Sequence, residues 1–218
     1  MTEVFVIPEC PFSLKSFDLL AQLKKNSSKK DFYLKYKEDF QNYIEWPIQK
    51  LLEFVLAQLK GEIIKQLDTK VDLSSSLYHP YFEYNLSSKN LEKKFNNARF
   101  FIRIVQDWFW FGLYISETST ERQRFIKNVQ NNINIKEILL QHTKISNNCS
   151  LFSESSQEIT KINRLADWLK IVSRQKSATK CIQISRHIRK EEVLNFDYQQ
   201  LTNEIKQLIE GIYLLLLN

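Results

Sequence analysis

Three glycines (Gly61, Gly112, Gly211) and four prolines (Pro8, Pro11, Pro47, Pro80) are the strongest punctuation in 218 residues. These two residue types end elements and form tight turns, so a chain this poor in them favours long helices over a many-turned β-sandwich. The same shortage excludes whole classes of function. A G-x-x-x-x-G-K-[ST] loop that cradles phosphates and a G-x-G-x-x-G turn that admits a dinucleotide both need glycines that the sequence does not have. With 43% apolar residues the chain is long enough to bury a full core.

Period and capping signals divide the chain into three parts. In the first, 13–67, Ser13 follows Pro11 and Phe12 as an N-cap, Asn26-Ser27-Ser28 breaks the helix, and Ser28 stands three residues before Asp31 in a capping arrangement. Phe32, Tyr36, Phe40, Ile44, Ile48, Leu52, Val55, Leu59 and Ile63 then recur every three or four residues. That spacing predicts one amphipathic helix of about 35 residues, kinked at Pro47. In the second part, 80–117, the period changes: Tyr81–Tyr84, Ala98–Val105 and Trp108–Ser116 read as strands, with Gln106-Asp107 as the turn between the last two. The third part, 157–218, predicts an amphipathic helix over Gln157–Ser173, a strand over Ala178–Ile184 and a terminal helix over Asp197–Leu216. Between the second and third, Ser119 or Thr120 caps a helix through Val129, Ile135–Gln141 begins another, and Cys149–Phe152 marks a short strand. The expected architecture is a single α+β domain, long helices packed on a small antiparallel sheet with an aromatic hairpin at its centre.

Charge is concentrated in the last part. From Thr160 to Lys190 the chain carries Lys161, Arg164, Lys170, Arg174, Lys176, Lys180, Arg186, Arg189 and Lys190 against Asp167 alone, a local surplus of eight in a protein whose total is +6. A concentrated basic face steers polyanions to it, which makes nucleic acid the expected partner. On a helical wheel over 157–173, Lys161 and Arg164 flank Trp168, joining phosphate contacts to an indole that can stack on a base. Lys89, Lys93 and Lys94, in the connector before the hairpin, form a second basic group. The alternative is a solvated face or a protein-partner face. Phe101, Trp108, Phe109, Trp110 and Tyr114 invite a stacking platform, although alternate strand residues point to opposite faces and core packing is the simpler use for them.

Catalytic signals are poor. His79, His142 and His187 lack metal-ligand spacing. Glu83, Glu92 and Asp107 surround the sheet but form no D…E-x-K pattern, which leaves a metal-dependent nuclease as a third reading behind a recognition module and a protein-interaction scaffold. Neither a metal nor a small-molecule cofactor is expected. Cys10, Cys149 and Cys181 are odd in number and far apart, which suits a reducing cytoplasm better than a disulfide framework. The start of the chain lacks the basic and apolar regions of a secretory signal. Its last apolar run, Ile212–Leu217, is far short of the ~20 residues a spanning helix needs, so no membrane association is expected.

A run of short segments resembles a bacterial domain of unknown function that occurs as the N-terminal domain of McrB-type AAA+ restriction ATPases. They are Phe17–Asn26, Asp31-Phe32-Tyr33, Tyr36–Phe40 and Pro47–Leu52, followed by Tyr81–Tyr84, Ala98–Phe101, Phe111-Gly112-Leu113-Tyr114-Ile115-Ser116-Glu117 and Glu121–Asn128. The match spans roughly residues 14 to 130 and again the apolar end near Tyr213 to Leu217. An R-D-x-R-F stretch frequent in the wider family is missing, as is the AAA+ module itself. The resemblance implies a non-catalytic recognition module of a restriction or antiviral defence system. It would bind DNA in preference to RNA and act with an AAA+ NTPase encoded separately or on a longer chain.

Overall fold

In a computed structural model, which describes residues 9–67, 72–73, 81–87, 98–116, 118–131, 149–155, 159–162 and 179–217, helix α1 (Leu14–Lys25) starts where its cap predicts. Ser13 has an extended backbone, and its N–H donates to Ser16 Oγ at 3.0 Å. Asn26 ends the helix in an extended conformation, and Ser28 opens α2 (Lys29–Lys35), its hydroxyl accepting from the Asp31 N–H at 3.4 Å.

The single long helix expected from Phe32 to Ile63 is instead a succession of segments. After α2 come α3 (Lys37–Phe40), one π-helical turn (Gln41–Glu45), α4 (Trp46–Gln58) and α5 (Gly61–Gln66). Proline explains the middle break. Pro47 offers no N–H to the carbonyl four residues back, and its ring crowds that carbonyl, so the turn before it widens to the π form. Glu45, at the end of that turn, is buried and accepts a hydrogen bond from the Tyr33 hydroxyl at 2.6 Å. The Tyr84 hydroxyl donates to the Glu45 carbonyl oxygen at 3.4 Å, tying the turn to the sheet. At Leu59 the backbone turns extended, and α5 leaves in a new direction. Apolar spacing survives both breaks: Phe40, Ile44, Ile48, Leu52, Val55, Leu59 and Ile63 are all buried.

Strands β1 (Asp72–Leu73), β2 (Tyr81–Ser87), β3 (Arg99–Val105), β4 (Trp108–Ser116), β5 (Cys149–Ser155), β6 (Ile159–Ile162) and β7 (Thr179–Arg189) form, among the described residues, a seven-stranded sheet in the order β1-β2-β3-β4-β7-β5-β6. Every neighbouring pair is antiparallel. The hairpin turns at Gln106-Asp107 as predicted, with Val105 opposite Trp108. The sheet is nonetheless larger than expected. The strand over 178–184 runs on to Arg189 and lies along the whole of β4, from Trp108 opposite Arg189 to Ser116 opposite Cys181.

The amphipathic helix predicted over 157–173 is corrected at its start. Ile159–Ile162 is a strand paired to β5, because two isoleucines and a threonine in four residues suit a pleated edge, and cross-strand pairing overrides a weak helical period. Residues 163–178 lie outside the described part, as do Ile135–Gln141.

Helix α6 (Thr120–Asn131) is capped by Ser119, whose hydroxyl accepts from the Glu121 N–H at 3.2 Å. A short helix, α7 (Lys190–Val193), follows β7. Helix α8 (Tyr198–Leu217) opens with a reciprocal cap: Gln200 N–H donates to Asp197 Oδ1 at 2.6 Å, and Asp197 N–H donates to Gln200 Oε1 at 3.0 Å. Its Leu201, Ile205, Leu208, Ile209, Ile212 and Tyr213 are buried, so this apolar segment is core through Tyr213, packed on α4, α6 and β4. The result is an α+β fold.

Strand alternation sorts the sheet into two faces. Phe82, Tyr84, Leu86, Phe100, Ile102, Ile104, Phe109, Phe111, Leu113, Ile115, Ile182, Ile184 and Ile188 are buried and join the side chains of α1, α4 and α8 in one hydrophobic cluster. Rings bridge the layers: Phe40 stacks on Phe82 at 5.4 Å, Phe12 meets Phe109 at 5.3 Å, and Phe100 meets Tyr213 at 6.5 Å.

At Gly112 β7 comes very close to β4. A Cβ there would lie 2.0 Å from the Ile184 carbonyl oxygen and 2.7 Å from the Ser185 Cα, both backbone atoms that cannot rotate away. Gly112→Ala is therefore expected to lower the free energy of unfolding by about 3 kcal/mol, at the severe end of overpacking, measured by urea denaturation.

Buried tyrosines set an alkaline limit. Burial pushes the Tyr198 hydroxyl up to about 12 from its ordinary 10.0, and burial, aided by the Glu45 carboxylate, raises Tyr33 and Tyr84 as well. Above pH 10 the unfolded chain releases these protons while the folded chain keeps them, so the unfolded state binds fewer protons and stability falls as pH rises. The urea midpoint is expected to fall progressively between pH 10 and about 12, and Tyr198→Phe should flatten part of that slope.

Candidate nucleic-acid interface

The second face of the sheet carries the other register set. Row by row it reads Tyr81, Val105, Trp108, Arg189; then Glu83, Arg103, Trp110, His187; then Asn85, Phe101, Gly112, Ser185; then Arg99, Tyr114, Gln183. Of the five aromatic residues that suggest a platform, Phe101, Trp108, Trp110 and Tyr114 share this face and Phe109 points to the other; Phe101 and Phe109 are both buried, as core packing requires, and Trp108, Trp110 and Tyr114 are half-buried. The first half of the strand expectation, that alternation divides them, holds. The division is four to one because Trp108, Trp110 and Tyr114 have the same parity on β4, and Phe101 stands opposite Gly112.

Arginines interleave with these rings. The Arg99 guanidinium lies over Tyr114 at 4.3 Å, Arg103 over Tyr81 at 4.6 Å, and Arg189 over Trp108 at 5.4 Å. Arg103 also approaches Phe101 at 5.4 Å and Trp110 at 5.6 Å, within the range where a cation is attracted to a ring face. Glu83 anchors two of them. Its Oε2 accepts from Arg103 Nε at 2.6 Å and also from Arg103 Nη2, and its Oε1 lies 3.6 Å from Arg99 Nη2. The carboxylate side chain is 5% exposed, whereas the two arginines are 18% and 22% exposed, so the acid is buried and the bases reach outward. Glu83 thus holds Arg103 in its own row and reaches Arg99 two rows along.

On β7 the Gln183 amide donates to Ser185 Oγ at 3.0 Å, and that hydroxyl lies 2.9 Å from His187 Nε2. The imidazole stacks on Trp110 at 4.1 Å and 7° and meets Trp108 edge-on at 6.4 Å. Ser185 is 0% exposed, so this Ser–His contact is a polar ladder along the strand rather than an accessible nucleophile.

The basic residues named from the sequence divide. Arg189, exposed, and Lys190, half-buried at the first position of α7, sit together at the hairpin end of the sheet. Lys190 Nζ is 3.8 Å from Asp107 Oδ1, and its N–H donates to the Asp107 carbonyl at 3.0 Å, so β7 is tied to the turn. Arg186 goes the other way. It stands opposite Phe111 on the helix-covered face, is 8% exposed, and forms an ion pair with Glu204 of α8. A guanidinium in that position is held by the core and does not share a surface with Arg189. Lys180 lies within β7, and Lys161 lies on the edge strand β6 in place of the predicted helix. Arg164, Trp168, Arg174, Lys176, Lys89, Lys93 and Lys94 lie outside the described residues.

Reading the basic segment by charge alone passes over Arg99, Arg103 and Tyr81. Their signal is a period of two: Arg99-x-Phe101-x-Arg103 facing Trp108-x-Trp110-x-Gly112-x-Tyr114. Among the described residues, no three His, Cys, Asp or Glu side chains gather to hold a metal ion, and no helix is long and apolar enough to cross a membrane.

The Arg186–Glu204 pair has a measurable consequence. Glu204→Gln removes a charged partner from a buried guanidinium and is expected to cost about 3 kcal/mol of stability. Arg186→Met combined with Glu204→Leu should cost less than the two single changes added together, a coupling that a double-mutant cycle by urea denaturation would read.

No family model matches the chain. A protein of Euglena longa, described as an uncharacterized 25.9 kDa protein in the rpl12-rps7 intergenic region, is 33% identical over 104 residues, which is 43% of this chain and 48% of that protein. The chain thus spans about half the length of the relative it matches.

Proposed function

We propose that this chain is a non-catalytic nucleic-acid-binding module and that its arginine and aromatic sheet face makes the contact. One observation carries the reading: Arg99, Arg103 and Arg189, among the described residues, lie over aromatic rings on the same side of one sheet. Guanidinium groups neutralise phosphates, rings accept bases, and a rigid sheet holds both in register. The local surplus of eight positive charges between Thr160 and Lys190 supplies steering, and Arg189 and Lys190 bring part of it to the edge of this face.

The setting in which such a module works is argued from sequence. The resemblance of residues 14–130 to McrB-type N-terminal domains supports service in a restriction or defence system beside an AAA+ NTPase, with DNA as the ligand. Cys10, a free thiol, fits a reducing cytoplasm. The curated relative is uncharacterized and adds no activity to this reading.

Fluorescence anisotropy of a labelled DNA oligonucleotide at several salt concentrations tests the proposal. Binding is expected to fall steeply with salt, and Arg189→Gln and Arg99→Gln should each weaken it and reduce the slope of log K against log salt by about one. Absence of binding at low salt would overturn it.

A further inference from the structure

Resting on that reading, we infer that the ligand is single-stranded DNA, whose unpaired bases stack at the hairpin end of the sheet on Trp108 while its phosphates run past Arg189 and Lys190. The first argument is geometric. Trp108 is half-buried on the second sheet face, directly opposite Arg189 in the register, with the guanidinium 5.4 Å from the ring centre. The indole is partly exposed and carries the Arg189 guanidinium over its ring, so a base stacked on its exposed part would lie beside a cation, which suits a base joined to a phosphate. A duplex keeps its base planes stacked inside the helix and offers phosphates and groove edges instead, so it has no use for a ring plane on a sheet.

The second argument is rigidity. The ring is fixed from several sides: His187 meets it edge-on at 6.4 Å, His187 is itself stacked on Trp110, and the Lys190 N–H bond to the Asp107 carbonyl holds β7 against the hairpin turn. A side chain already ordered loses little entropy when a base lands on it. The third is charge. The Arg103 guanidinium in the next row is spent on buried Glu83, whereas Arg189 is exposed, and the Lys190 ammonium meets Asp107 only at 3.8 Å across a solvent-facing pair. Such a surface pair yields readily to a phosphate. Arg189 and Lys190 are thus the phosphate-binding groups of this corner, and Arg103 is a positioning residue that orders the aromatic row.

The test compares a labelled oligothymidylate with a duplex of the same length on the full chain, using inorganic polyphosphate as a base-free competitor. Trp108→Ala is expected to weaken the single strand about tenfold or more and leave the duplex unchanged, and Trp108→Phe to retain most of the affinity. Binding of the single strand should quench tryptophan fluorescence in the wild-type chain and quench it less in Trp108→Phe. Because Trp108→Ala removes a half-buried ring, its melting temperature is measured alongside, and the phenylalanine variant carries the test if the alanine variant unfolds. Equal losses on both forms of DNA, unchanged quenching in Trp108→Phe, or displacement by polyphosphate as effective as by DNA would overturn the stacking inference while leaving a charge-driven nucleic-acid contact standing. Failure to bind either form at low salt would overturn both.

Discussion

The close approach of β7 to β4 at Gly112 is the contact on which the described structure turns. Backbone of Ile184 and Ser185 occupies the space that any side chain at 112 would need. Because the strands can close there, β7 pairs along the full length of β4, and one register places three different groups at once. Ile182, Ile184 and Ile188 enter the core, Arg186 meets Glu204 beneath the helices, and Ser185, His187 and Arg189 join the aromatic face. A slip of one residue would exchange the two sets and put charges into the core.

The helical layer depends on a comparable local constraint. An unbroken helix from Phe32 to Ile63 would run as a rod past the sheet. The π turn before Pro47 and the extended backbone at Leu59 and Lys60 let the same apolar stripe follow the sheet's surface in segments. Glu45 shows how the break is stabilised. Its carboxylate is buried but receives the Tyr33 hydroxyl, and its carbonyl receives the Tyr84 hydroxyl, so polar groups exposed by the distorted turn are matched from α2 and from β2.

Electrostatics divides between these two faces. Behind the sheet, Arg186 and Glu204 neutralise each other where water is scarce, and such a pair adds specificity of packing more than net attraction. On the other face Glu83 pairs with Arg103 and lies near Arg99, and the two guanidinium groups lie over rings. The acid is buried while the bases remain about one-fifth exposed. Sequence charge density points to the stretch 160–190 as a whole, yet within its described part the tertiary structure sends Arg186 and Arg189 to opposite sides, because they stand an odd number of residues apart on one strand.

Local chemistry alone determined a good deal. Side-chain oxygens next to free helical N–H groups set the starts of α1, α2, α6 and α8, and β-branched and aromatic runs around Gln106-Asp107 set the hairpin to the residue. The apolar repeat from Phe40 to Ile63 identified core residues correctly even where the helix breaks, since burial follows the spacing more than the exact hydrogen-bond pattern. Long-range pairing was not legible. Ile159–Ile162 has spacing that suits a helix and composition that suits a strand, and only the neighbouring β5 decides between them. Likewise the platform of Arg99, Arg103, Trp108, Trp110, His187 and Arg189 draws on strands separated in sequence by about seventy residues, and their meeting rests on the backbone contact at Gly112, which no local period encodes.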